Sequence, residues 1–335
     1  LNRITYSVCI PVYKRFFELK KTLESIINQS YSPLEIIIVD NNVDIKESEK
    51  LSTYIKNISH SKIPIKLIKN TINSGAVARN LGANLAKGDI VGLIDSDVLL
   101  SKNYSKNIID IFKSDKEVVA VQGVDTNLQR GYVNTFRSLQ ERLIYLFEFF
   151  FQTSVIYKKG RPILLPSLVI THPDPPFDFN YESEWISTCA GFFHKKLFNK
   201  YKFCDQFITY SWNEYILFSY SIFKDKVGKM IYTSKAKYTG IITGEGRISP
   251  RALYYMAEVY DRYIFRKLFK PNLINSFIFL WSRIGRLLLF YLLNIRKKNI
   301  NLHIFLIPLS ALFYSIRNLG KIKKGDLSFY KKDFS

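Results

Sequence analysis

The sequence is poor in cysteine, in histidine and in negative charge. Three cysteines in 335 residues, Cys9, Cys189 and Cys204, leave one unpaired in any scheme and show no metal-ligand spacing. That excludes a disulfide scaffold and fits a reducing compartment. Only 28 acidic side chains face 49 lysines and arginines, a formal net charge of +21. Such a charge calls for an acidic partner. No helix-turn-helix, zinc-finger or aromatic RNA-binding motif accompanies it, so nucleic acid is not expected, and the anionic cytoplasmic face of a membrane is. An uninterrupted spanning segment is lacking too. Ser276 to Leu293 is nearly long enough, but Arg283 and Arg286 break it. A span takes about 20 predominantly apolar residues, and a central arginine costs on the order of 2.5 to 3.5 kcal/mol. Leu302 to Tyr314 is shorter still. No signal peptide precedes the first strand, so the expected location is cytoplasmic, peripheral on the inner face of the cell membrane.

What is present is a repeated strand, helix, strand order. Tyr6 to Tyr13 is an apolar run broken by Pro11, as in a buried strand that ends where its loop begins. Phe16 to Gln29 carries Leu19, Leu23, Ile26 and Ile27 at helical spacing, and Leu34 to Asn42 is a β-branched strand with Asp40 at its carboxyl end. The middle of the segment Asn73 to Asp89 reads as a helix stopped by Lys87-Gly88, and the segment leads into the strand Ile90-Val91-Gly92-Leu93-Ile94. Asp95-Ser96-Asp97 follows directly. This is a parallel βαβ arrangement, whose ligand lies outside the carboxyl ends of the strands. Two aspartates two residues apart also make an ordinary turn. At a buried strand end, however, they offer hard oxygen ligands to a divalent cation carrying a diphosphate.

In three segments, in order, the sequence resembles the family 2 glycosyltransferases of the GT-A fold: Ser7 to Tyr13, Glu35 to Asn42 and Asn73 to Asp97. The likeness is specific over roughly residues 5 to 125, weaker to about 245 and absent beyond. It implies an α/β fold with a Rossmann-like, mostly parallel sheet flanked by helices. It also implies a nucleotide-diphospho-sugar donor, with uridine as the nucleoside. Pro11, Tyr13, Asp40 and Arg79 are then expected on the nucleotide, and Asp95 and Asp97 on nucleotide and metal. With oxygen ligands the metal is Mg²⁺ or Mn²⁺ rather than zinc.

On the acceptor side, Ser187 to Phe198 is similar to the family's small-Gly-aromatic stretch, and Phe203-Cys204-Asp205-Gln206-Phe207 resembles the turn that comes next. The family's acidic pair falls on Asn213-Glu214, which makes Glu214 the expected base, one methylene longer than the usual aspartate. The bland alternative is an acidic residue favoured by the dipole at the start of the helix Glu214 to Phe223. Asp174 and Asp178, in a proline-rich loop, are reserve candidates. A histidine that many relatives supply after the acidic helix is missing from Met230 to Tyr232 and from Ala236 to Gly240. The third protein ligand is therefore open, and neither His172 nor His194 is assigned. Ile242 to Arg247 reads either as a lid with Arg247 near the phosphates or as a plain linker.

The expected organisation is a catalytic domain over residues 1 to 248, with its donor half in 1 to 125 and its acceptor half in 126 to 248. A helical, basic and aromatic region over 249 to 335 follows, lying in the membrane interface and bordered by Arg296, Lys297, Lys298, Arg317, Lys321, Lys323 and Lys324. The activity this implies is an inverting, metal-dependent sugar transfer to a hydroxyl of a glycan or lipid-linked oligosaccharide, as in bacterial surface-polysaccharide assembly. Two other readings stand beside it: a transferase acting directly on polyprenyl phosphate, and a non-catalytic basic module binding membrane or nucleic acid. The oligomeric state is left open.

Overall fold

The computed structural model describes residues 3–58, 62–128, 138–157, 160–173, 178–295 and 302–334. They divide into two compact units, residues 1–129 with 175–247, and residues 130–174 with 248–335.

The first unit is built on a nine-stranded sheet. β1 (Tyr6–Val12), β2 (Glu35–Asp40), β3 (Ile65–Lys69) and β4 (Ile90–Ile94) run parallel in the order β3-β2-β1-β4. Parallel neighbours need crossovers, and α1 (Phe16–Ile27), α2 (Ile45–Ile58) and α3 (Gly75–Leu85) supply them. β5 (Val98–Leu100), α4 (Tyr104–Ser114) and β6 (Val118–Asp125) follow. The chain then contributes α5 (Leu139–Phe151) and the short parallel pair β7 (Ile156–Tyr157) and β8 (Thr171–His172) to the second unit. It returns through β9 (Asn180–Glu182), β10 (Ala190–His194), α6 (Leu197–Lys200), α7 (Glu214–Lys224) and β11 (Lys229–Gly240). β10 inserts antiparallel between β4 and β6, so the sheet is mixed beyond its parallel half.

β2 and β4 are buried along their whole length, which is why they read as unbroken apolar runs rather than alternating ones. α1 packs on the sheet through Phe16, Leu19, Leu23 and Ile26, one face of the helix. α3 approaches more closely, through Ala78, Gly82 and Ala83. A β-carbon at Gly82 would stand 1.9 Å from the Cys9 sulfur. Gly82→Ala must therefore push α3 off β1, and a loss of about 1–3 kcal/mol is expected. A denaturant midpoint equal to that of the unsubstituted chain would contradict this close approach.

The second unit joins α5 to α8 (Pro250–Leu268), α9 (Leu273–Asn294), α10 (Leu302–Arg317), α11 (Leu319–Lys324) and α12 (Ser328–Phe334). This division differs from the sequence expectation, which placed residues 126 to 248 together in the acceptor half. The reason is aromatic packing distant in sequence. The Phe151 ring stacks on Trp281 at 4.6 Å, the Trp281 indole donates to the Phe150 carbonyl at 3.0 Å, and Gly285 leaves room for Phe151.

Arg283 and Arg286 also behave differently from their reading as breaks in an apolar segment. Both guanidiniums turn inward onto Asp261 of α8, at 2.6 and 3.2 Å. Leu273, Phe277, Leu280, Ile284, Leu288 and Leu292 then form an exposed apolar stripe along α9, which is long and apolar enough to cross a membrane. Leu139, Leu143, Leu146 and Phe150 of α5 are exposed as well. Arg296, Lys297 and Lys298 lie outside the described residues.

Candidate active site

β1, β2 and β4 end on one edge of the sheet, and Tyr13, Asp40, Asp95 and Asp97 stand at or just past those ends. The turn after β1 is bent through two left-handed non-glycine residues, Lys14 at φ 61° and Arg15 at φ 25°. Such conformations cost on the order of 1–3 kcal/mol each and persist only when held. Here the Lys14 N–H donates to the Asn42 side chain at 2.6 Å. The bend sends the Arg15 guanidinium to Asp97, with Nη1 2.8 Å from Oδ2. Arg15 Nε also donates to the Glu245 carbonyl at 3.1 Å, and Gly246, at φ +68°, lies against the Tyr13 carbonyl. The Ile242 to Arg247 segment is thereby laid over the turn that follows β1.

Asp95 follows β4 directly, and its N–H donates to the Cys189 carbonyl at 2.9 Å. Its carboxylate meets Arg79, whose Nη2 is 2.6 Å from Asp95 Oδ1. Arg79 projects from α3, which Ser74 caps by accepting from the Val77 N–H at 3.1 Å. The other arm of the same guanidinium, Nη1, is paired with Glu214 Oε1. Glu214 opens α7 after a tense approach in which Thr209, Ser211 and Asn213 all take positive φ. That approach is stitched to the start of α3, with Thr209 N–H to Asn73 O at 2.6 Å and Gly75 N–H to Thr209 O at 3.0 Å. Asp95, Arg79 and Glu214 therefore form one relay through the buried Arg79, whose wider step, from Arg79 to Glu214, joins residues 135 positions apart.

The electrostatics of this cluster are unusual. Burial pushes the Glu214 carboxyl up to about 7 despite the opposing Arg79 charge. Glu214 Oε2 and Arg79 Nε are buried with no hydrogen-bond partner. Asp97 is pushed up to about 6, by burial first and then by the Asp95 charge, with Arg15 and Arg247 pulling the other way. Arg79 is held above its ordinary value, its two carboxylates outweighing its burial. The three arginines 15, 79 and 247 balance the three carboxylates 95, 97 and 214.

The remaining expected residues are placed as follows. Asp40 ends β2 and is buried, its Oδ1 accepting from the Asn42 N–H at 2.9 Å and its Oδ2 3.0 Å from Lys69 Nζ. Pro11 lies in β1 beyond the last residue paired with β4, and half-buried Tyr13 follows the strand. Asp178 is exposed just before β9, and Asp174 lies outside the described residues. His194 is on β10, with burial pulling its imidazole down, and His172 is in the second unit. Among the described residues no group of three or more His, Cys, Asp and Glu is gathered to hold a metal. Asp95 and Asp97 still fit a hard divalent cation, since they are oxygen donors whose mutual repulsion raises Asp97. Arg15, Lys69 and Ser211 were not singled out from sequence. Only the position of Arg15, three residues past the end of the opening strand, offered a signal.

A family model described as glycosyl transferase family 2 matches residues 7–171. The chain is 29% identical over 123 residues to a glucosyl-dolichyl phosphate glucuronosyltransferase of Haloferax volcanii, covering 36% of this chain and 37% of that protein. It is 36% identical over 98 residues to the amylovoran biosynthesis glycosyltransferase AmsB of Erwinia amylovora, covering 29% and 32%. It is 29% identical over 118 residues to the minor teichoic acid biosynthesis protein GgaA of Bacillus subtilis, covering 34% and 26%. The chain thus spans about a third of the length of these curated relatives. A crystal structure of GalNAc-T7 with UDP, GalNAc and Mn²⁺ aligns with a TM-score of 0.55 at 17% identity, over 85% of this chain and 55% of that one. Together with the mixed sheet and its flanking helices, this likeness gives the chain the GT-A fold expected from its sequence.

Proposed function

The chain belongs to glycosyl transferase family 2, and from that premise we propose that it is an inverting glycosyltransferase using a nucleotide-diphospho-sugar, with UDP as the nucleotide. The observation that carries the proposal is the joined cluster of Asp95, Asp97, Arg79 and Glu214 at the carboxyl edge of the sheet. Pro11, Tyr13 and Asp40 flank the nucleoside at the ends of β1 and β2. Asp95 and Asp97 would hold Mg²⁺ or Mn²⁺, which supplies positive charge to the departing diphosphate when bound. Arg79 fixes the carboxylates of Asp95 and Glu214 relative to each other. Glu214 Oε2, the orphaned oxygen, takes the proton of the acceptor hydroxyl. The acceptor's own oxygen, losing that proton to Glu214, forms the new bond to the anomeric carbon, while the bond to the diphosphate breaks and its electron pair leaves with the nucleotide.

A lipid-linked glycan in surface-polysaccharide assembly is the acceptor that fits best. The relatives' names include a dolichyl phosphate-linked substrate and two polymer-biosynthesis roles. The second unit, with its apolar stripe along α9, would rest on the cytoplasmic face of the membrane where such an acceptor lies.

Thermal unfolding in the presence of a panel of nucleotide sugars tests the donor reading. A ligand that binds only the native state adds about 2.7 kcal/mol at a hundredfold excess over Kd. The expected result is a rise in Tm with a UDP-sugar and Mn²⁺ that chelator abolishes. If no nucleotide sugar raised Tm or was hydrolysed with either cation, the reading would be lost.

A further inference from the structure

In the second unit, residues of α10, α11 and α12 line an open surface cavity of about 660 Å³. Arg317, Lys321 and Lys332 line it against one carboxylate, Asp333, and that carboxylate already accepts from the Tyr314 hydroxyl at 2.7 Å. Among the described residues Arg317 and Lys332 have no ion-pair partner. Lys321 Nζ lies 5.6 Å from the centroid of the Phe329 ring, and its charge also helps to lower the Asp326 carboxyl nearby. With three cations against one carboxylate the cavity wall keeps a net positive charge, and the Ser328 hydroxyl and Asn318 amide add neutral donors to it.

What borders it narrows the ligand. Leu302, Leu306 and Phe313 are exposed on α10, and with Arg317 they fall at i, i+4, i+11 and i+15, on one side of the helix. An exposed apolar stripe thus runs up to a cation of the cavity. A small inorganic anion has no use for that stripe, and a water-soluble acidic peptide has little. A phosphate with hydrocarbon attached matches both.

We propose that this cavity binds the phosphate headgroup of an anionic membrane lipid, with the lipid's chains lying along the α10 stripe. Arg317 presents a planar fork suited to two phosphate oxygens. Lys321 and Lys332 supply point charges, and basic pockets of this kind take lipid head groups. The site rests on the reading that the second unit lies on a membrane. It is independent of whether the first unit transfers sugar.

The experiment is co-flotation of the full chain with phosphatidylcholine vesicles, with and without phosphatidic acid. The apolar surface should give weak binding to neutral vesicles, and phosphatidic acid should strengthen it. In Arg317→Gln/Lys332→Gln the strengthening should fall about 30-fold, from ~1 kcal/mol per cation, with neutral-vesicle binding unchanged. Both side chains are exposed, so folding should tolerate the change. Lys323→Gln/Lys324→Gln removes the same charge from exposed positions of α11 that do not line the cavity, and it should keep most of the strengthening. Short-chain phosphatidic acid should compete, and inorganic phosphate at the same concentration should not. Equal losses in the two double variants, or equal competition by inorganic phosphate, would overturn the lipid site. No strengthening by phosphatidic acid would overturn it too, while binding to neutral vesicles left the membrane reading standing. Absence of binding to either vesicle would remove both.

Discussion

Asp97→Asn should lower the rate of sugar transfer by on the order of 10²–10³ while leaving the fold as stable as before or slightly more so. The activity loss follows from charge. Arg15, Arg79 and Arg247 already balance Asp95, Asp97 and Glu214, so a nucleotide diphosphate entering this edge brings negative charge that these three arginines do not offset. Two aspartates two residues apart in such a place offer oxygen ligands to a cation, and removing one charge weakens its hold. The stability follows from linkage. Folding raises the Asp97 carboxyl from 3.8 to about 6, so the folded chain keeps this proton more tightly than the unfolded one. Its contribution is therefore favourable at low pH and is lost as pH rises from about 4 through 6. At pH 7 an uncharged amide escapes that loss. Ser96 O still accepts from Thr22 Oγ1 at 3.0 Å and Asp97 O from the Ile241 N–H at 2.7 Å, so the turn stays anchored. Turnover and Tm measured side by side check both halves. Full-speed transfer by the variant in the presence of chelator would remove the metal from the mechanism.

The parts of this site that sequence made legible are those held by regular structure. Asp40, Asp95 and Asp97 stand at or just past the ends of strands whose apolar runs are unmistakable, and Glu214 opens a helix. What sequence could not give is the contact partner. Arg15 meets Asp97 only because Lys14 and Arg15 take left-handed backbone angles, and it meets Glu245 across 230 positions. No periodicity encodes either. The buried Arg79 has the same character: its helix was readable, yet its bridging of Asp95 and Glu214 depends on the turn from Thr209 to Asn213 closing on Asn73 and Gly75. The C-terminal half shows the opposite failure. Arg283 and Arg286 lowered the apolar reading of α9, because a linear count cannot see Asp261 waiting inside. Likewise nothing in the sequence of α5 announces that Phe151 belongs against Trp281.

Glu214→Gln should reduce turnover by about 10²–10⁴ with the donor Kd unchanged, the range expected when a positioned base is removed. Glutamine preserves an oxygen for Arg79 Nη1 to donate to, so the relay to Asp95 and the donor side keeps its shape. What is lost is the ability to accept a proton at Oε2. The unsubstituted enzyme should also slow as pH falls below about 7, because burial raises this carboxyl and its protonated form cannot act as base. That acidic limb should be missing from the residual activity of the glutamine variant. The comparison separates two chemistries that share one donor half. A sugar hydroxyl must surrender a proton as it attacks, so it needs Glu214. A polyprenyl phosphate attacks through an oxygen that already carries negative charge. Transfer that survives the substitution at its original rate would therefore point to a phosphate as the nucleophile, and Glu214 would then be a structural partner of Arg79.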